Sequence, residues 1–236
     1  MDILVTGGTG FIGSLLVPTL AGPASLGGGH RLTLLTRQPE RYRSARAELI
    51  AEGRIRLIAS LDELTRDAHF DAVINLAGEG IADRPWTAQR KRELHASRVT
   101  LTESLVDWLR RARHKPAVLI SGSAVGWYGS QGDRLLEEDA PAHDEFVHQL
   151  CHDWEQAALA AEQIGIRVCI LRTGVVIGPG GGFLRRLLPV FGLGLGGVVG
   201  SGEQYLSWVA LADVVQVIQR LLTDRELKGV FNLTGP

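Results

Sequence analysis

Three glycines spaced by three residues, Gly7, Gly10 and Gly13, follow the apolar run Ile3-Leu4-Val5-Thr6 and open a helical stretch. A diphosphate asks for this spacing. The first glycine makes a tight turn, the second lets backbone approach the phosphates, and the third packs the helix closely on a sheet. Free N–H groups over Thr9, Gly10, Phe11, Ile12 and Gly13 then supply an anion site at the helix start. The ligand implied is a nicotinamide dinucleotide. A tight turn without a ligand is the alternative, and the agreement of strand, spacing and helix disfavours it.

A ribose 2′-OH is usually held by an acidic residue about 20 residues beyond such glycines. Here the second apolar run ends Leu35-Thr36-Arg37 instead. A guanidinium suits a 2′-phosphate, so NADP(H) is expected over NAD(H), with Arg41 and Arg43 nearby. The alternative for Arg37 is a solvated surface arginine. The fourth run ends Asn75-Leu76-Ala77-Gly78, small residues against which adenosine and its ribose can lie. After the sixth, Arg172-Thr173-Gly174-Val175 is expected to bring backbone to the nicotinamide carboxamide, although Arg172 has the equal option of pairing with a buried carboxylate.

These residues need strand ends along one sheet edge to carry them. Runs over 2–6, 31–36, 54–58, 72–76, 118–121 and 167–171 read as strands, mostly apolar throughout, as parallel strands covered on both faces are. Between them Leu94, Leu101, Leu105 and Trp108 recur at helical spacing, as do Val147, Leu150, Trp154, Ala157 and Ala161. The alternation predicts an α/β fold, a doubly wound parallel sheet of the Rossmann kind. Ser60 and Glu63 form a capping box for a short helix, Pro18 is expected to kink or end the first helix early, and 22–29 reads as a mobile surface loop. Residues 1–173 are expected to form the dinucleotide-binding domain. Residues 174–236 then supply a glycine-rich, loop-rich substrate flap with a short helical stretch over 183–188, a strand over 205–209, a helix over 213–222 and a last strand over 230–233.

Composition narrows the function. A formal net charge of −1 over 236 residues gives no basic surface for nucleic acid. Cys151 and Cys169 show no metal or disulfide spacing, and a cytoplasmic setting with no metal is expected. No apolar run approaches the ~18 residues of a membrane span, and Met1-Asp2 leads straight into a strand, without a leader pattern. The partner expected is a small-molecule substrate.

The chain resembles the short-chain dehydrogenase/reductase superfamily, in its extended and atypical members. Asn75-Leu76-Ala77-Gly78-Glu79, Arg84-Pro85-Trp86, Ser97-Arg98, the run from Ser121-Gly122-Ser123 to Trp127-Tyr128-Gly129, Asp153-Trp154-Glu155, Leu171-Arg172-Thr173-Gly174-Val175 and Ser207-Trp208-Val209 are similar to one branch, the NAD-dependent epimerase family with its cell-division-inhibitor-like members. The resemblance spans essentially the whole chain. It implies that Thr36, Arg37, Leu76 and Ala77 touch NADP(H) and that Glu93 and Arg98 face it; Ser121, at the end of the fifth strand, is a further expected cofactor contact. It also implies pairing of two copies through the helices after the fourth and fifth strands, and a further helical segment beyond the last strand, which would make this chain truncated.

In that superfamily a serine after the fifth strand polarises a substrate carbonyl, and a Tyr-x-x-x-Lys pair one helix later moves the proton. Ser123 matches the serine. None of the three tyrosines precedes a lysine by four. Anchored on Glu155, the pair's positions fall near Val147 and Cys151. Tyr128 is the replacement acid on offer, with a packed aromatic beside Trp127 as its alternative. Two readings therefore stand: an NADP(H)-dependent oxidoreductase or epimerase-like enzyme using Ser123 and Tyr128, and an NADP(H)-binding sensor without turnover.

Overall fold

Apolar runs with no polar face require cover on both sides, and the chain supplies it. The computed structural model describes residues 1–198 and 200–235. The side chain of Arg41 lies outside the described residues. The strands are β1 (Asp2–Thr6), β2 (Arg31–Leu35), β3 (Ile55–Ile58), β4 (Ala72–Asn75), β5 (Val118–Ala124), β6 (Arg167–Thr173), β7 (Val175–Ile177), β8 (Trp208–Ala210) and β9 (Gly229–Leu233). The helices are α1 (Phe11–Ala21), α2 (Pro39–Ala45), α3 (Ala47–Ala51), α4 (Ala88–His95), α5 (Leu101–Arg111), α6 (Phe146–Leu159), α7 (Leu184–Gly192) and α8 (Leu211–Thr223). Seven strands form one sheet in the order β3-β2-β1-β4-β5-β6-β9, every pairing parallel, and β7 and β8 form a separate parallel pair.

Alternation along β1 divides the core. Ile3 and Val5 pack with Leu16, Val17 and Leu20 of α1 and Ile218 of α8. Leu4 packs on the other face with Leu105 and Leu109 of α5 and Ala158 of α6. Strand order reverses between β1 and β4, the switch point at which open α/β sheets bind ligands beyond their strand C-termini. The C-terminal residues complete this sheet, since β9 pairs with β6 from Cys169↔Gly229 to Thr173↔Leu233.

Some local expectations change. Helix α1 runs through Pro18 to Ala21. The Ser14 carbonyl, which would have accepted the N–H that proline lacks, accepts from Arg46 Nη2 at 3.2 Å. The loop over 22–29 holds a short 3₁₀ turn, Ala24–Leu26, and is tied back by bonds from Gly29 N to Gly22 O and from His30 N to Leu20 O. The capping box at Ser60 and Glu63 forms, but opens only a 3₁₀ turn, Leu61–Glu63. Strands β5 and β6 run two to three residues past their expected ends, so Ser123 and Arg172 are paired strand residues rather than loop residues. Helix α7 passes the 188 limit and runs through Pro189 to Gly192, and within the 205–209 region only Trp208 and Val209 are strand, as part of β8.

Candidate functional site

At the C-terminal end of β1 the backbone forms a close-fitting cradle. Gly7 has φ +70°, and a Cβ there would lie 2.4 Å from the Leu76 carbonyl. A Cβ on Gly13 would lie 2.2 Å from the Gly8 oxygen, so α1 and the loop approach more closely than any side chain allows. Gly10 differs, because a Cβ there would meet only the Gly7 oxygen, at 3.2 Å. Gly10 caps α1 with extended backbone, donates to Gly7 O and accepts from Ser14 N. The N–H groups of Phe11, Ile12 and Gly13 find no backbone acceptor among the described residues. Thr9 lies in the same turn and is exposed.

A buried polar network fixes the neighbouring strand ends. Thr6 Oγ1 donates to Asn75 Oδ1 (2.6 Å), and Asn75 Nδ2 donates to Thr102 Oγ1 (2.8 Å) and Ser121 Oγ (3.1 Å). Ala77 N donates to Thr6 Oγ1 and Leu76 N to Thr6 O, which sets Leu76 and Ala77 beside the glycine turn. Ser121, expected among the cofactor contacts, is fully buried in this network.

Beyond β2 and β4 lies an arginine-rich cluster that the spacing did not reveal. Arg37, 82% exposed, pairs through Nη1 with Glu79 Oε1 at 3.0 Å. Buried Arg90 clasps both Glu79 (2.5 Å) and Glu93 (2.9 Å) through Nη1, and Arg84 reaches both carboxylates at 3.7 and 3.5 Å. The bonds from Arg90 and then Arg37 hold the Glu79 carboxyl below its ordinary pKa, and the Arg90 bond does the same for Glu93. Arg98, in a π-wound turn (Ala96–Thr100) between α4 and α5, donates to the Glu79 carbonyl at 2.8 Å, and its guanidinium lies where a Cβ on Gly78 would be 3.0 Å away. Burial lowers the pKa of Arg98. Three arginines, Arg37, Arg84 and Arg90, thus reach the two carboxylates while Arg98 holds the Glu79 backbone, and Thr36 at the end of β2 is buried.

The two protic candidates share a second buried network. Ser123 Oγ donates to Glu155 Oε1 at 2.6 Å. Arg172 grips the same carboxylate with Nε to Oε1 and Nη2 to Oε2, both at 2.9 Å, and the two side chains are only 4% and 5% exposed. Arg172 Nη1 also donates to the Tyr128 hydroxyl (3.1 Å) and the Glu138 carbonyl (2.9 Å), and its guanidinium stacks 3.6 Å over Trp127. Tyr128 in turn donates to Asn232 Oδ1 at 2.6 Å. Burial disfavours the Arg172 charge, but the Glu155 and Tyr128 bonds outweigh it and raise its pKa. Of the two options open to Arg172, the ion pair is the one observed. The N–H groups of Gly174 and Val175 are bonded to Leu233 O and Ser207 O, so neither is available to a carboxamide.

Helix α6 closes the place of the missing Tyr-Lys pair. A Cβ on Gly126 would fall 2.3 Å from Val147 Cγ1 and 4.0 Å from Cys151 Sγ. Burial, reinforced by Glu155, pushes the Cys151 thiol up to about 11, which leaves it an inert, small apolar group near neutral pH. His148 Nδ1 lies 2.6 Å from the Trp127 carbonyl. The flap folds back at its base, where Gly181 and Gly182 sit against opposite edges of the Phe11 ring, so close that a Cβ on either would be 2.5 Å from a ring carbon. Further along, Leu188, Phe191, Leu193, Leu195 and Tyr205 are exposed. Among the described residues no His, Cys, Asp and Glu group could hold a metal, and no helix is long and apolar enough to cross a membrane.

Comparison with known proteins agrees with this geometry. Residues 3–234 match the model of the NAD dependent epimerase/dehydratase family. The chain is 48% identical over 166 residues to the epimerase family protein Mb2239 of Mycobacterium bovis, an alignment that takes in 70% of this chain and 54% of that one. It therefore spans about half the length of that curated relative. It is 34% identical over 240 residues to YfhF of Bacillus subtilis, covering 100% of this chain and 75% of the relative. The crystal structure of human epimerase family protein SDR39U1 with NADPH superposes with a TM-score of 0.83 at 31% identity, over 100% of this chain and 75% of the human one.

Proposed function

Because the chain belongs to the NAD dependent epimerase/dehydratase family, we propose that it binds NADP(H) beyond the ends of β1, β2 and β4 and exchanges hydride with a small carbonyl or hydroxyl substrate. The observation that carries this reading is the glycine cradle, where Gly7 and Gly13 leave no room for a Cβ while Gly10 stays open above the helix start. Phe11, Ile12 and Gly13 N–H groups hold the diphosphate there. Leu76, Ala77 and Gly78 lie against the adenosine, with Glu93 and Arg98 at its border. Arg37 takes the 2′-phosphate. Its bond to Glu79 uses one nitrogen, which leaves the rest of the fork for a second anion. The human relative, crystallised with NADPH, supports the same cofactor. When bound, the dihydronicotinamide supplies the hydride, and the chain's residues orient it and exclude water beneath the flap.

Arg37→Asp tests the cofactor choice. The NADPH dissociation constant is expected to rise about tenfold or more, as for loss of a charge-assisted bond, while that for NADH stays level or falls. An unchanged preference for NADPH in fluorescence titrations refutes the role given to Arg37.

The sensor reading keeps one specific observation in its favour. The proton of Ser123 is committed to Glu155 and that of Tyr128 to Asn232, which leaves free neither the serine hydroxyl that the resemblance puts on a substrate carbonyl nor the phenol offered as a replacement acid.

A further inference from the structure

We propose that the substrate is a quinone-type hydride acceptor, an apolar ring carbonyl whose reduced anion needs no acid from the protein; this rests on the NADP(H) reading above. Reduction of a simple ketone or aldehyde creates an alkoxide, too basic to form without a proton delivered as the hydride arrives. A positioned acid contributes ~10²–10⁴-fold to such a step. Reduction of a quinone by hydride creates a hydroquinone monoanion, a phenolate whose charge is spread from one oxygen into the ring while the other oxygen carries the transferred hydrogen, and water protonates it afterwards.

The residues around the proposed nicotinamide end fit the second case. Ser123 and Tyr128 are buried, and their protons are held by Glu155 and Asn232. Glu155 is itself gripped on both oxygens by Arg172. The positions of the proton-moving pair hold Val147, which packs on Gly126, and Cys151, a buried thiol. The flap gives an independent observation. Residues 174–208 contain two arginines and one glutamate as their only charges, while Phe183, Leu188, Phe191, Leu193, Leu195 and Tyr205 are exposed. A strongly polar substrate would find few partners there, and a flat apolar ring would find many.

The step balances. The C4 hydrogen of NADPH moves with its electron pair to the quinone, NADPH becomes NADP⁺, the quinone becomes the hydroquinone anion, and a proton from water completes the hydroquinone. His148 on α6 and Tyr205 in the flap are protic side chains outside the two buried networks, so both enter the test.

The experiment follows NADPH consumption with a naphthoquinone and with a ketone of matched shape, α-tetralone, after subtraction of the uncatalysed rate, and titrates the naphthoquinone calorimetrically into NADP⁺-loaded protein. Expected are saturable naphthoquinone binding, a kcat/KM at least ~100-fold above that for the ketone, and rates within twofold of the parent for His148→Ala and Tyr205→Phe. Comparable turnover of the ketone, a tenfold loss in either variant, or NADPH binding with neither naphthoquinone binding nor turnover overturns the proposal while sparing the cofactor reading. Absence of NADPH binding overturns both.

Discussion

Glu155→Ala is expected to destabilise the fold by about 3–5 kcal/mol, the cost of leaving a buried charge without its partner, and to lower Tm by on the order of 10 °C for a chain of this size. The loss does not stop at one ion pair. The Glu155 carboxylate accepts from Arg172 on β6 and Ser123 on β5, and Arg172 in turn holds Tyr128 and the Glu138 carbonyl. Tyr128 bonds Asn232 on β9, whose backbone N–H donates to Glu138 Oε1 at 2.8 Å. One carboxylate therefore joins two strands, a helix, the loop after β5 and the last strand. Ser123→Ala removes a single bond, and an effect of about 1–2 kcal/mol is expected. Replacing both ion-pair partners with apolar residues of similar volume, Glu155→Leu with Arg172→Met, is expected to recover most of the loss, because no orphaned charge remains. Urea and thermal melts of the four proteins check this ordering. A loss below 1 kcal/mol in Glu155→Ala would show that the network does not hold these elements together.

Gly10→Ala is expected to weaken NADPH binding by about 100-fold or more while moving Tm by no more than about 3 °C. The φ of −83° and ψ of −171° at Gly10 are open to any residue, and the added Cβ meets only one oxygen at 3.2 Å. Replacing a glycine cap by alanine costs about 1 kcal/mol at most. The methyl group would instead stand where the diphosphate must approach the helix N–H groups. Gly7→Ala and Gly13→Ala are expected to behave differently and lose stability as well, because each forces a Cβ into backbone at 2.4 Å or less. Paired melts and NADPH titrations separate the two classes. A Gly10→Ala protein that binds NADPH like its parent would place the diphosphate somewhere else.

What could be read before the fold was known depended on how far apart the interacting residues lie. The glycine turn, its strand and its helix follow one another without a break from Asp2 to Ala21, and their spacing alone identified them. The sheet was legible because buried parallel strands are apolar throughout. Side-chain partnerships were not. Ser123 and Glu155 are 32 residues apart, Tyr128 and Asn232 are 104 apart, and Arg37 meets Glu79 across 42 residues. Spacing places a serine at a strand end but does not say which acceptor takes its proton. Pro18 misled for a related reason, because the group that relieves its missing hydrogen bond, Arg46, comes from the turn between α2 and α3. Arg172 carried two readings at once, and only the position of α6 against β6 decided between them.

The most direct measurement is a calorimetric titration of the purified chain, stripped of any carried-over cofactor, with NADPH and separately with NADH. One NADPH is expected to bind per chain, at least tenfold more tightly than NADH. Failure of either dinucleotide to bind saturably, or NADH binding as tightly as NADPH, would contradict a cradle built at Gly7, Gly10 and Gly13 with Arg37 for the 2′-phosphate.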